Sequence, residues 1–175
     1  VLTTNEKKQT IHQFPYTELM EAGNLGVQKE GDLPVYFTAY QQYWNARPEK
    51  VTKDFTVKTW FENEQGNALS ALTGGKAVLL KAEVIVSGDG DYVMVEIPIP
   101  AGASYDEKEQ SWCGKEVHRE YAKDKVSIFC RTLKEGRHTF TVKLLPRYDG
   151  TYTLNPAKAE LMYFPTFYGR EGIRQ

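Results

Sequence analysis

The chain has 175 residues, of which 41% are hydrophobic and 26% charged, and this balance predicts one globular domain rather than two. Its formal net charge of -1 gives no broad attraction to nucleic acid or anionic lipid, so we expect no nucleic-acid partner. No window approaches the roughly 20 apolar residues that a spanning helix needs, so we expect no membrane insertion. The sequence opens VLTTNEKKQT, without a leader pattern, and we interpret it as a piece of a longer protein.

The beginning of the chain is polar and rich in glycine, which is typical of an arm rather than of a packed core. We therefore expect residues 1–30 to form an N-terminal arm or a linker from a preceding domain, and residues 31–175 to form the folded domain. The best helical signal is YTELMEAGN, in which Thr17 is the candidate cap of a short turn that ends at Gly23.

An aromatic stretch, PVYFTAYQQYWNARP, follows the arm, and its alternation predicts a strand with aromatic side chains on both faces. Tyr40 and Trp44, together with Trp60 further along, are candidates for a flat platform on which sugar rings could stack. The stronger interpretation is an ordinary core plus a contact with a neighbouring domain, because exposed apolar patches more often mark protein contacts.

Two-residue alternation then dominates the chain. It predicts strands in DFTVKTWFE, AVLLKAEVIVSG, DYVMVEIPI, EVHREY, KVSIFCRT and RHTFTVKLL. The stretches SGDGDY, AKDK, LKEGR and RYDGTY supply the Gly and Asp residues of tight turns, and we expect a meander of hairpins over about residues 76–154. This spacing predicts an all-β antiparallel sandwich of about seven to nine strands.

The closing segment, TYTLNPAKAELMYFPTFYGREG, is too apolar for a free tail. We interpret it as a last strand that breaks at Pro156 and resumes to bury Leu161 and Tyr163. Because proline cannot donate to a central ladder, Pro156 and Pro165 are expected at an edge or at a crossing between sheets.

The sequence shows no motif of catalysis or of metal binding. It has no zinc-type Cys and His spacing, no Gly-x-Ser-x-Gly elbow and no phosphate-binding glycine loop. We expect His118 and His138 to be solvent-facing strand residues, give His12 no catalytic role, and interpret the acidic residues of SGDGDY and YDEKEQ as turns rather than as a calcium site. We therefore expect no enzyme activity, no cofactor and no metal.

Two segments, VEIPIPAGASY and GTYTLNPAKAELMYFPTFYGREG, together resemble the C-terminal macroglobulin-like domain of bacterial alpha-2-macroglobulins. The hairpin segment between them fits the family, and GDLPVYFTAYQQYW resembles the strand that leads in from the preceding domain. The resemblance covers about residues 26–172. Its motif positions are Pro98, Pro100, Gly102, Pro156, Met162, Tyr163, Pro165 and Gly169.

The resemblance implies an immunoglobulin-like, macroglobulin-like sandwich at the end of a large periplasmic, cell-surface or secreted protein that traps proteases. It implies a non-catalytic structural or interaction domain, with the neighbouring domains of the same chain and the trapped protease as partners. A thioester is not expected here, because Glu116, rather than Gln, stands three residues after Cys113. The alternative function is a surface carbohydrate-binding sandwich.

The two cysteines, Cys113 and Cys130, flank one predicted hairpin. A disulfide requires their α-carbons to approach within about 7 Å, which a bend at Gly114 would permit. Export would favour the bond, and two buried thiols are the alternative.

Overall fold

The computed structural model describes residues 11–32, 34–40, 45–110 and 115–174. The chain divides into two units, Val1–Tyr43 and Trp44–Gln175. The role of residues 1–30 as an arm or linker stays a prediction.

The first unit contains one short helix, α1, at Tyr16–Ala22. The helix was expected, but its cap was not: Pro15 is the N-cap residue, with φ -59° and ψ 148°, and no side chain caps the helix. Thr17 already lies within the first turn, so its proposed capping role is wrong. The helix ends at Gly23, whose φ of 72° lies in the left-handed region that glycine adopts without a Cβ penalty. No helix in the described residues is long and apolar enough to cross a membrane.

The aromatic strand predicted in PVYFTAYQQYW is absent from residues 34–40, which are irregular and exposed. Residues 41–44 lie outside the described part of the chain. Alternation produces a strand only where a neighbour accepts the backbone hydrogen bonds, and no described residue supplies one here. Tyr36 is accordingly 95% exposed.

The second unit is a sandwich of two five-stranded antiparallel sheets, with ten strands against the seven to nine expected. The strands are β1 Phe55–Glu62, β2 Ala68–Leu69, β3 Val78–Val86, β4 Gly90–Pro98, β5 Ala103–Tyr105, β6 Glu116–Tyr121, β7 Lys125–Leu133, β8 Gly136–Pro146, β9 Lys158–Leu161 and β10 Phe164–Arg170. One sheet has the order β2-β1-β3-β8-β5 and the other the order β10-β9-β4-β7-β6. All six strands predicted from DFTVKTWFE to RHTFTVKLL are present, as β1, β3, β4, β6, β7 and β8.

The expected meander of hairpins is wrong at three of its four turns, and only AKDK closes a hairpin, between β6 and β7. SGDGDY, LKEGR and RYDGTY each lead from one sheet to the other, because β3 and β8 lie in one sheet and β4, β7 and β9 in the other. Turn residues indicate where a chain reverses, but not whether it returns to the same sheet. The crossings at SGDGDY and LKEGR lie side by side, because Asp89 accepts hydrogen bonds from Lys134 at 2.6 Å and from the Glu135 backbone at 2.8 Å.

The core lies between the sheets and follows directly from the alternation. In β3 every second residue from Val78 to Val86 is buried, and Val93, Val95 and Ile97 of β4 face it from the other sheet. Branched aliphatic side chains fill such pleated surfaces well. Because alternate residues of each long strand enter the core, the residues between them lie on the outer face of the sheet.

Candidate functional site

A group of apolar side chains remains uncovered where the second sheet ends, and we call it the aromatic edge. It consists of Tyr92, Met162, Tyr163, Phe164 and Phe167, all exposed. Leu161 pairs with Phe164 across β9 and β10, so Met162 and Tyr163 form the two-residue connection between these strands. Tyr163 is 68% and Phe164 64% exposed, so the expected burial of Tyr163 is wrong, whereas Leu161 packs against the core.

The aromatic edge is an ordered arrangement rather than a loose tip. The rings of Tyr92 and Tyr163 meet edge to face, with centroids 5.2 Å apart and an interplanar angle of 77°. The Met162 N–H donates to the Tyr92 carbonyl at 2.9 Å. Tyr92 has a φ of 55°, a left-handed conformation that costs energy for a bulky residue. The fold therefore holds this tyrosine in place at an energetic cost.

A shallow cleft of about 340 Å³ adjoins the aromatic edge. It is lined by Asp54, Phe55, Ser87, Gly88, Asp89, Gly90, Leu161 and Phe167. One buried carboxylate oxygen of Asp54 has no hydrogen-bond partner among the described residues. Lys53 places its Nζ 6.0 Å from the centroid of the Phe167 ring. The cleft thus combines the apolar side chains of Phe55, Leu161 and Phe167 with the carboxylates of Asp54 and Asp89.

The Pro-Ala-Gly loop of the recognised motif is a packing feature. Pro98 ends β4, and Pro100 and Gly102 are buried. A Cβ on Gly102 would overlap the ring of Tyr152. The Gly102 carbonyl accepts hydrogen bonds from the backbone of Arg147 at 2.8 Å and Tyr148 at 3.2 Å.

The closing motif combines exposed and packed positions. Pro156 is half-buried before β9, while Pro165 lies exposed in β10, the edge strand of its sheet. Gly169 is buried against the backbone of Phe55. Its motif residues therefore divide into the packed positions Pro156 and Gly169 and the exposed positions Met162, Tyr163 and Pro165.

A buried ion pair lies inside the sandwich, and no sequence pattern indicates it. Glu116 and Arg119 are only 7% and 5% exposed, and the Arg119 guanidinium donates to the Glu116 carboxylate at 2.6 and 2.9 Å. It also reaches the other sheet, donating to the Thr141 carbonyl at 2.8 Å. Burial is the largest single influence on the pKa of Arg119 and lowers it, but the effects of Glu116 and Tyr121 together outweigh burial and leave the pKa raised. Strict alternation would place these two residues on opposite faces; a register shift between Glu116 and His118 turns both inward.

Cys130, His118 and His138 lie on β7, β6 and β8 and make packing or hydrogen-bond contacts there. Burial raises the pKa of the Cys130 thiol to about 12, which makes it a poor nucleophile. His118 is exposed and stacks on Phe129 with ring centroids 6.0 Å apart, and half-buried His138 lies 2.7 Å from the Lys134 carbonyl. Within the described residues, no three His, Cys, Asp or Glu side chains are placed to hold a metal. Cys113 lies outside those residues, so its bond to Cys130 stays a prediction.

The residues proposed for a sugar platform are divided between the two units, and the platform stays a prediction. Tyr40 belongs to the first unit and Trp60 to the second, where the Trp60 indole donates to Glu62 at 2.5 Å. Trp44 lies outside the described part of the chain.

Two face-to-face antiparallel sheets with this strand order define a macroglobulin-like, immunoglobulin-type sandwich. Residues 50–166 match the family model of the bacterial alpha-2-macroglobulin MG10 domain, and the chain belongs to this family. The resemblance noted in the sequence is thereby confirmed. No curated protein matches the chain.

Solved structures show the same fold. Salmonella alpha-2-macroglobulin reacted with methylamine aligns with a TM-score of 0.64 and 18% identity, over 73% of this chain and 9% of that one. Escherichia coli alpha-2-macroglobulin activated by porcine elastase gives a TM-score of 0.66 and 18% identity, over 73% and 13%. The native Escherichia coli protein from domain MG7 to the C-terminus gives 0.62 and 17%, over 72% and 24%. The chain thus spans between 9% and 24% of these relatives.

Proposed function

We propose that this chain is a non-catalytic interaction domain of a bacterial alpha-2-macroglobulin-like, protease-trapping protein. In this proposal the parent protein is exported to the periplasm or the cell surface, and the trapped protease is its target. The domain docks onto a neighbouring domain of the same parent chain through the aromatic edge. The exposure of the five apolar side chains at that edge carries the proposal.

The aromatic edge has the composition of a contact surface. A domain gains about 1.5–3 kcal/mol from each large apolar side chain that it fully buries, so leaving several adjacent ones in water forgoes that stabilisation. Contiguous exposed apolar patches mark binding surfaces more often than chance. The contact between Tyr92 and Tyr163 holds two of the rings in a fixed arrangement, which lowers the entropy lost on docking.

The size of the relatives supports a partner within the same chain. Even the shortest of the three solved relatives is covered to only 24% by the match, so most of its length lies outside the matched domain. A domain in such a chain has neighbours at high effective concentration, and a modest apolar surface is then sufficient for a lasting contact.

Hydroxyl-radical footprinting tests this proposal. Oxidation of Tyr163 and Phe164 is compared between the isolated 175-residue chain and the full-length parent protein, with Tyr148, which is 74% exposed on the loop between β8 and β9, as the internal reference. We expect strong protection of Tyr163 and Phe164 in the parent and little change at Tyr148. Equal oxidation of the aromatic edge in both proteins would contradict the proposal.

Substitution gives an independent check. The parent carrying Tyr163→Ser and Phe164→Ser is expected to lose protease trapping or to change its susceptibility to limited proteolysis, while Tyr148→Ser leaves both unchanged. Trapping that survives the double substitution with an unaltered proteolysis pattern would argue against docking through this edge.

A further inference from the structure

The outer edge of β6 is occupied by a side chain instead of a strand. β6 is the last strand of its sheet. The Arg119 N–H donates to the side-chain oxygen of Gln110 at 3.1 Å, and the Gln110 side-chain nitrogen donates to the Arg119 carbonyl at 2.9 Å. One amide therefore makes both hydrogen bonds that an opposing residue of an antiparallel strand would make.

Residues 106–110, which we call the strap, hold Gln110 in this position. All five residues of the strap are exposed. The Asp106 N–H donates to the Lys143 carbonyl at 3.1 Å, and the Lys143 ammonium lies 2.6 Å from Glu107 and 2.8 Å from Glu109. Exposed ion pairs of this kind contribute little, typically below about 1 kcal/mol each. The Tyr121 hydroxyl of β6 also donates to the Glu109 carbonyl at 2.5 Å, so the strap is held by a few exposed hydrogen bonds and ion pairs rather than by burial.

The same arrangement occurs at the open part of β1. The Thr59 N–H donates to Glu171 at 3.2 Å, and the Thr59 carbonyl accepts a hydrogen bond from Arg174. β2 covers only Phe61 and Glu62 of this strand. Unpaired strand edges are templates for pairing with another chain, and here a side-chain closure lies on an open edge of each sheet.

We propose that Gln110 occludes a strand-pairing surface on β6, and that the partner this surface fits is β6 of a second copy of the chain. β6 and β10 are the opposite end strands of this sheet, so the proposal does not depend on the aromatic edge. Both backbone hydrogen-bonding groups of Arg119 point outward, so a two-fold antiparallel pair can be centred on this residue.

Two facing side chains along β6 suit such a pair. Centring on Arg119 places His118 of each copy opposite Glu120 of the other, and these side chains are exposed on the outer face. An imidazole N–H can donate a hydrogen bond to a facing carboxylate, and complementary side chains at directly facing positions stabilise a strand pair. The two central Arg119 side chains are each neutralised by their own Glu116 at 2.6 Å. The strap therefore keeps apart two edges that are otherwise complementary.

The test uses the 175-residue chain with Gln110→Ala and, as its matched control, Gln65→Ala in the exposed turn between β1 and β2. Sedimentation velocity over a concentration series is expected to show a monomer for the wild type and Gln65→Ala, and a concentration-dependent dimer for Gln110→Ala. At low concentration, hydrogen exchange of the Arg119 amide in Gln110→Ala should be about fivefold faster, the change expected for one lost hydrogen bond. At high concentration the dimer should protect that amide again.

Two further variants make the result specific. Adding His118→Glu to Gln110→Ala puts like charges opposite each other in the pair and is expected to restore the monomer. Gln110→Glu keeps an acceptor for the Arg119 N–H but loses the donor, and should dimerise less than Gln110→Ala. A Gln110→Ala protein that stays monomeric at all concentrations, or a dimer that is indifferent to His118→Glu, would overturn the proposal.

Discussion

Gly169 of β10 lies directly against the backbone of Phe55 in β1, so closely that a Cβ on residue 169 would overlap the Phe55 carbonyl. The two strands belong to different sheets. A bridge of two 2.8 Å hydrogen bonds between Val51 and Arg170 lies beside this contact. The closing segment thus ties the edges of the two sheets together, and glycine is the residue that permits the approach.

We therefore expect Gly169→Ala to destabilise the second unit by about 1–3 kcal/mol or more, the cost of forcing extra atoms into a packed site. The strand cannot move away without breaking the bridge beside it. Urea denaturation followed by tryptophan fluorescence measures the change in free energy of unfolding. Gly172→Ala is the control, because its Cβ would meet only the Lys50 Cβ at 3.9 Å, an ordinary contact. If the two variants were equally stable, the packing account of Gly169 would fail.

The ion pair of Glu116 and Arg119 makes a second prediction. Arg119→Met leaves the Glu116 carboxylate buried without its partner, and we expect a loss of about 3–5 kcal/mol. Replacing both residues, with Glu116→Leu and Arg119→Met, removes the uncompensated charge and should recover a large part of that loss. Chemical denaturation of the four proteins of this double-mutant cycle gives the coupling energy. Additive losses in the cycle would show that the two side chains do not act as a pair.

Alternation predicts a strand well where one face is buried and the other is less covered. β3 alternates strictly between buried and half-buried positions, and its pattern AVLLKAEVIV is visible without a structure. The failures have a common cause, which is that local patterns do not specify the neighbours of a segment. The aromatic stretch at 34–40 alternates as well as β3 does, yet no strand pairs with it among the described residues.

The candidate surface was predictable only in part. The apolar character of the closing segment predicts that other residues cover it, and its motif residues resemble those of the family. Alternation from Leu161 puts Tyr163 on the inner face, and the sequence therefore wrongly predicts that it is buried. The chain turns instead at Met162 and Tyr163, so the alternation ends there. The Arg119 side chain points inward because of a register shift between Glu116 and His118, and the residues of EVHREY do not indicate that shift.

The aromatic edge should contribute little to the stability of the isolated chain. Tyr163→Ser is expected to cost at most about 1.5 kcal/mol, because it removes an exposed side chain whose edge-to-face contact with Tyr92 contributes about 0.5–1.5 kcal/mol. Phe140→Ala, at a core position 1% exposed, is the contrasting variant and should cost about 3–5 kcal/mol. Thermal unfolding of both proteins checks the difference. A large loss from Tyr163→Ser would mean that the edge serves the fold of this domain rather than a partner.

Stability at alkaline pH should depend on two acids, the buried thiol of Cys130 and the half-buried phenol of Tyr105. Burial raises the pKa of Cys130 from 9.0 to about 12 and is also the main cause that raises the pKa of Tyr105 from 10.0 to about 12. Between these values the unfolded chain releases protons that the native chain retains, so the unfolded state is favoured as pH rises. The contribution is fully present below pH 9.0 and is lost progressively towards about pH 12. We expect the free energy of unfolding, measured with urea in the presence of reductant, to fall over this range. Cys130→Ala removes one of the two groups and should reduce the slope that begins near pH 9.0, even though the smaller side chain lowers stability at every pH. An unchanged slope in Cys130→Ala would show that this thiol does not titrate differently in the two states.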